Sequence, residues 1–454
     1  MINNTNEILA QNLQKSERIL MEFITDLTNL DKQDELNINS TEKKLGKMIS
    51  EFISMGLEMS GIILSSIEVK EADKYCSCGK KLIIAKRGAQ TKILSMYGHI
   101  PVERDTLFCR HCRKGYGVSD KQLEIYGDHR LTKGMTETIT YVSQLMPFKE
   151  ASETIKKLLN LDISAPQLQI VSEEVGKQVF KNDLLKANNA YNKPEEAAQQ
   201  ELSLYRKEGR LYILVDGSQV NTRIKDNNGS TWKEMKLGLI FSDRDMVKTG
   251  SDSMIITKKE YIPYLGSVND FKKFVFAAAA KAGYGKLKEV VVIGDGAQWI
   301  WNMCEELFPD AVRILDFYHF SENAHNYAKA LYPENEVARK SWVNNLISLV
   351  NDGEVEKAVE FVKKYNVSKL PDGIVNLSNY IVNNKERINY KYFRDNGYYI
   401  GSGAIESGNK TVIQHRMKQS GMRWGINGGQ YISSLRGKYK SNLWNEVIDT
   451  IYAS

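Results

Sequence analysis

Two strongly apolar runs end in aspartate. Arg210-Leu-Tyr-Ile-Leu-Val-Asp216 and Val290-Val-Val-Ile-Gly-Asp295 each read as a buried strand closing in a carboxylate, and each is followed by glycine. A carboxylate just past a rigid strand sits where α/β sheets gather ligands. If the two strands are parallel neighbours, the acids stand about 5 Å apart, one inter-strand spacing. They could then share a divalent cation, Mg²⁺ or Mn²⁺, which removes their mutual repulsion. A third acid, Glu406, opens a helical pattern carried by Val412, Ile413 and Met417, with Asn409 and Lys410 one turn on. Three such acids could hold two hard cations about 3.5–4 Å apart, activating a water or a 3′-hydroxyl and stabilising the leaving oxygen of a phosphodiester. Singly, each Asp-Gly is also a common turn, and Glu406 is also a helix-start residue. The combination points to phosphodiester chemistry.

Four of the five cysteines are grouped as Cys76-Ser-Cys78 and Cys109-Arg-His-Cys112. Two knuckles separated by β-leaning segments, Lys81–Ile84 and Lys92–Met96, suit tetrahedral Zn²⁺. The first gap is one residue short, His111 could substitute as a ligand, and a ribbon that has lost its metal is the alternative. Between Glu406 and Lys440 the basic residues Lys410, Arg416, Lys418, Arg423, Arg436, Lys438 and Lys440 face only the acid Glu406. Lys410, Arg416, Lys418 and Arg423 read as phosphate contacts, or as a solvated face. Trp424 either stacks on an unpaired base or packs in the core.

The elements that must position these groups can be outlined. Ile19, Leu20, Phe23, Ile24 and Leu27, then Leu45, Met48, Ile49, Phe52 and Ile53, predict two helices joined by Asp31–Thr41, a structural or dimerising arm. Ala151–Leu159, a turn and Pro166–Val179 fit a helix-turn-helix, with Ser164 as a cap and Gln167 three residues on; an ordinary helical pair fits as well. Asn188–Gln200 reads as a linker. An α/β pattern follows, with further strands over Lys236–Ser242, Met254–Thr257 and Arg313–Asp316 and a helix over Phe271–Ala282. Residues 321–390 are strongly helical.

A chain of 454 residues suggests two to four domains. With 42% apolar residues, a core of ordinary size is available, which excludes a wholly disordered chain. The net charge of +6 is too weak to name a partner by itself. No run approaches about 18 uninterrupted apolar residues, so no membrane span is expected. No secretory signal is visible, so a cytoplasmic protein is expected.

Asp216-Gly217, Gly294-Asp295-Gly296-Ala297-Gln298-Trp299-Ile300, Leu315-Asp316-Phe317-Tyr318-His319, Gly401–Asn409 and Arg416-Met-Lys-Gln-Ser-Gly-Met-Arg-Trp424 occur in this order. In these motifs the chain resembles the ISLre-type bacterial insertion-sequence transposases, within the Mutator-like group of DDE enzymes. The resemblance implies an α/β fold with an RNase H-like catalytic core interrupted by a helical insertion. It makes Asp216, Asp295 and Glu406 the catalytic, metal-holding acids. Asp316 and His319 match its Asp-x-x-His element, with His319 contacting a phosphate or positioning an acid, or else buried for structure.

The expected organisation is an N-terminal helical arm (1–72), a zinc-ribbon-like module (73–125), a helix-turn-helix-like region and linker (126–200), and a core in two parts (201–320 and 396–454) around the insertion (321–395). The implied activity is Mg²⁺- or Mn²⁺-dependent cleavage at insertion-sequence ends and strand transfer into target DNA, with Zn²⁺ structural. The implied partner is double-stranded DNA, both terminal inverted repeats and target, bound by a homodimer or higher oligomer at the nucleoid. Alternatives are an RNase H-like nuclease without strand transfer and a DNA-binding protein that has lost catalysis.

Overall fold

The computed structural model describes residues 2–33, 35–66, 70–117, 125–126, 129–194, 197, 207–250, 254–365 and 370–453, in a mixed α/β arrangement. It divides into two compact units, residues 1–171 with 451–454, and residues 172–450. Of the expected linker, residues 195, 196 and 198–200 lie outside the described residues.

In the first unit, helices α1 (Ile2–Lys32) and α2 (Ile38–Ser65) form a hairpin. Lys15 pairs with Glu58 at 3.1 Å and Lys44 with Asp26 at 2.8 Å, so the two helices run antiparallel. The connection is shorter than the polar stretch suggested, because Asn37 and Ser40 form a capping box that starts α2. By length and composition alone α2 is long and apolar enough to cross a membrane. Lys44 and Glu58, however, are engaged with α1.

Strands β1 (Ile83–Ser95), β2 (Gly98–Cys109), β3 (Lys114–Gly117), β4 (Ile125–Tyr126) and β5 (Leu131–Thr132) make a sheet in the order β3-β2-β1-β5-β4. The two short segments expected between the knuckles are parts of one long strand, β1. Helices α3 (Lys133–Leu145) and α4 (Phe148–Leu159) lead to α5 (Ala165–Asn192), and Met135, Ile139, Ile155, Leu168 and Val171 share their core. Ser164 accepts a hydrogen bond from the Gln167 amide at 3.4 Å. Asn160, left-handed at φ 55°, closes α4. The second helix of this pair is longer than expected, running through Val179 and into the presumed linker.

The second unit is built on β6 (Lys207–Asn221), β7 (Trp232–Ser242), β10 (Glu260–Tyr264), β11 (Leu287–Gly294) and β12 (Val312–Leu315), in the order β10-β7-β6-β11-β12. β7 runs antiparallel to β6 and β10; β6, β11 and β12 are parallel. Leu211 to Val215 are all buried, as a strand covered on both faces requires. The expected strand at Met254–Thr257 lies outside this sheet; β9 (Met254–Ile256) pairs with β8 (Met246–Lys248) in a separate ribbon. The true third strand is β10, whose Pro263 argues against a strand in sequence but is tolerated at a sheet edge.

Helix α6 (Val268–Ala282) precedes β11, and α7 (Gln298–Leu307) links it to β12. Helices α8 (Phe317–Leu331), α9 (Glu336–Asn351), α10 (Val355–Lys364), α11 (Leu377–Asn383) and α12 (Tyr390–Asp395) follow. Trp342, buried, packs on Phe361 with ring centroids 5.4 Å apart. Then come α13 (Gly403–Gly408), a π-helical turn (Asn409–Gln414), α14 (His415–Met417), α15 (Ile426–Lys440) and α16 (Trp444–Tyr452).

Candidate functional site

Strand register brings the acids together. Val215 on β6 pairs with Gly294 on β11, and Gly294 pairs with Leu315 on β12. The next residues, Asp216, Asp295 and Asp316, therefore stand at one level: Asp295 and Asp316 follow the ends of β11 and β12, whereas β6 runs on past Asp216 to Asn221, paired with β7, which corrects the expected strand end at Asp216. The Gly217 amide donates to Asp216 Oδ1 at 2.7 Å, and the Ala297 amide donates to Asp295 Oδ1 at 2.8 Å. Between the last two, Gly296 turns with φ +97°, a conformation that favours glycine, and a Cβ there would stand 3.0 Å from Leu315 and 3.1 Å from the Tyr380 hydroxyl. That hydroxyl donates to the Asp295 carbonyl at 3.3 Å, so α11 closes over the turn.

Asp316 is buried and caps α8, accepting from the amides of Tyr318 and His319 at 3.2 and 3.3 Å. Its carboxylate also meets His319 Nδ1 at 2.5 Å. The ring is thereby oriented with Nε2 left for other partners. One ligand atom each from Asp216, Asp295 and His319 lies within 4.8 Å of the others. The Asp316 hydrogen bond outweighs burial and lifts His319 to about 9, with Asp216 and Asp295 adding to it. Burial pushes the Asp216 carboxyl above its ordinary value; Asp295 adds to this, while the Gly217 amide, His319 and Asn409 oppose it.

Glu406 lines a cavity of about 420 Å³ with Asp216, Tyr318, His319, Glu322 and Lys410. Its carboxylate accepts from the Ser402 hydroxyl at 2.5 Å and is not part of the tight Asp-Asp-His group. Three residues after Glu406 the helix widens into a π turn, a local form often found at functional sites. The turn carries Asn409, whose amide donates to Asp216 Oδ2. Asn409 is 4% exposed, and its Oδ1 is buried with no hydrogen-bond partner among the described residues. Two carboxylates, an unsatisfied amide oxygen and a third carboxylate on the cavity wall form a donor set that fits a hard divalent cation.

A second cluster lies in the first unit. The sulfurs of Cys76, Cys78, Cys109 and Cys112 all fall within 4.8 Å of one another, with Cys76–Cys112 at 3.8 Å and Cys78–Cys109 at 3.7 Å. The Cys112 amide donates to Cys109 Sγ at 3.4 Å, and Gly79 at φ +79° turns the short first knuckle. His111 is exposed and outside the group.

A model of the uncharacterised protein family UPF0236 matches residues 33–447, most of the chain. The chain belongs to the UPF0236 family. A relative from Streptococcus gallolyticus, the UPF0236 protein in vanSb 3'region, is 22% identical over 434 residues, covering 90% of this chain and 85% of that protein.

In this UPF0236 chain the late basic segment divides. Lys410, Lys418 and Arg423 are exposed. Arg416 and Trp424 are not, which corrects the expectation that they touch DNA. Arg416 is fully buried with its guanidinium 5.0 Å over the Trp424 ring, and Trp424 donates from Nε1 to the Met417 carbonyl at 3.0 Å. Arg436 and Lys438 are also internal: Arg436 Nε donates to the Thr411 carbonyl at 2.8 Å, tying α15 to the π turn. Glu322, unremarked in the sequence, joins the cavity one turn after His319 on α8. The only signal for it was that three-residue spacing.

Proposed function

We propose that this protein is a DDE transposase with an RNase H-like catalytic core, akin to the ISLre-type and Mutator-like enzymes its motifs resemble. Numbered from β6, the sheet runs 3-2-1-4-5 with the second strand antiparallel, which supports that core. Helices α8 to α12 lie between β12 and the Glu406 helix, where the resemblance expects an insertion. The observation that carries the reading is the level register of Asp216 and Asp295 beside a cavity that Glu406 also lines.

Asp216, Asp295 and Glu406 would hold Mg²⁺ or Mn²⁺, which when bound stabilises charge on the phosphate and activates the attacking oxygen. Asp316 fixes the His319 ring, and its protonated Nε2 donates to a phosphate oxygen at the cleaved end. Asn409 keeps Asp216 in place, while Lys410, Lys418 and Arg423 contact flanking phosphates. Hydrolysis frees a 3′-hydroxyl at the element end, and that hydroxyl attacks target DNA; no protein nucleophile is required. The protein would act in the cytoplasm, at the nucleoid, as a dimer or larger assembly.

The four cysteines support a structural zinc. Thiolates about 2.3 Å from a tetrahedral zinc have sulfurs about 3.8 Å apart, and Cys78–Cys109 and Cys76–Cys112 are separated by 3.7 and 3.8 Å.

The test is cleavage, with Mg²⁺ or Mn²⁺, of duplexes spanning the DNA that borders the gene. Wild type is expected to cut and then join the freed end to a target, and joining separates a transposase from a nuclease. Asp216→Asn and Asp295→Asn are expected to lose cleavage while still binding DNA. Metal-dependent nicking that survives in either variant overturns the assignment.

A further inference from the structure

The cysteine-knuckle hairpin concentrates charge that the proposed chemistry does not use. Residues 80–114 contain nine lysines and arginines against Glu103 and Asp105, a net charge of +7, whereas the whole chain carries +6. The chain's entire positive excess lies in this segment. Eight of the nine are exposed, and none of those eight is in a salt bridge among the described residues.

Five of them surround the sulfurs. Lys80 and Lys81 follow the first knuckle, with Lys81 bridged to Tyr75; Arg110 and Arg113 flank residues of the second, and Lys114 pairs with Cys109. Lys86 and Arg87 stand at the β1 bulge, about 10 Å further along the hairpin. The two acids are occupied at that bulge: Asp105 accepts from the Gly88 amide at 2.9 Å, and Glu103 lies against the same glycine. A zinc held by four thiolates carries a charge of −2, so the five cations around it still leave an excess. Like charges fixed on one hairpin repel one another, even with Lys81 also acting on the Glu71 carboxylate that Lys74 pairs, and a small anion could not reach all of them; an extended polyanion can.

We propose that the knuckle end of this hairpin grips the phosphate backbone of duplex DNA, separately from the acidic cavity. The choice of DNA among polyanions rests on the transposase reading; the charge argument does not. The lysines and arginines neutralise phosphates and so set affinity and salt dependence, with no reading of base sequence.

The full chain is titrated with a short fluorescent DNA duplex of mixed sequence in calcium at increasing salt, alongside a variant carrying Lys80→Gln, Lys81→Gln, Arg110→Gln, Arg113→Gln and Lys114→Gln. Every phosphate that the variant no longer neutralises should flatten the slope of log affinity against log salt by about 0.9, so a decrease of about 2–4 is expected, with at least about tenfold weaker binding near physiological salt. Unchanged zinc content and thermal midpoint establish that the variant is folded. A folded variant with the wild-type slope overturns the proposal, as does a slope change seen with single-stranded RNA but not with the duplex. If wild type binds through this patch yet never cleaves, the surface stands and the transposase reading falls. If it cleaves and the variant binds normally, the reverse holds.

Discussion

Asn409 donates its side-chain amide to Oδ2 of Asp216, tying the π turn behind Glu406 to the acid within β6. Partners of this kind orient a ligand without touching substrate, and removing them typically lowers metal affinity or activity about 10–100-fold. Asn409→Ala should therefore raise the Mg²⁺ concentration for half-maximal cleavage and slow the reaction by about that factor, with DNA affinity unchanged. A metal titration identical to wild type would reduce Asn409 to a packing residue.

The helix bearing Glu406 is seated by Gly408. A Cβ there would lie 2.6 Å from Cε1 of Tyr261 and 3.2 Å from Cδ2 of Leu237, on the two strands behind the helix. Overpacking of this kind costs about 1–3 kcal/mol. Gly408→Ala should lower the urea midpoint by that much and slow cleavage by shifting Glu406. Adding Tyr261→Leu removes the obstructing ring edge, and the double variant should recover part of both losses.

Asp216, Asp295 and Asp316 were legible because each ends an apolar run, and parallel neighbours sharing a register must place such ends side by side. The edge strand was not, because Pro263 reads as a break until its place at the sheet edge shows that its missing N–H costs no ladder hydrogen bond. Arg416 and Trp424 were misread because a basic, aromatic helix looks alike whether it faces water or folds its cation onto its own ring. The Asn409–Asp216 bond joins residues 193 apart, and no local pattern announces it. Short-range periodicity encodes which face is apolar; it does not encode which polar groups meet across the fold.

The sulfur geometry makes a metal prediction independent of catalysis. Purified protein should contain about one zinc per chain, since four thiolates complete a structural site. Cys109→Ser should release it and expose the hairpin to protease, because Cys109 is fully buried. Asp216→Asn should leave the zinc content unchanged. Full zinc in the cysteine variant would show that the metal sits elsewhere.

Lys438, itself buried, anchors α15 through a half-buried cluster, 2.8 Å from both Asp183 Oδ1 and Glu446 Oε2. Burial alone would raise the Glu446 carboxyl, but the hydrogen bond and charge of Lys438, reinforced by Lys281 and Lys186, hold it down at about 2. Asp183 shares the same ammonium yet is raised, since burial outweighs it there. Glu446 is thus the carboxylate whose ionisation the lysine secures. A depressed carboxyl contributes stability that is fully present above its unfolded value near 4.5 and is lost as pH falls through about 2. Glu446→Gln should cost about 1–3 kcal/mol at neutral pH, allowing for partial exposure, with the gap to wild type closing between those two pH values. Paired urea titrations at neutral pH and through that window measure the gap directly. A difference that stays constant on acidification would mean that Glu446 acts through packing and not through its charge.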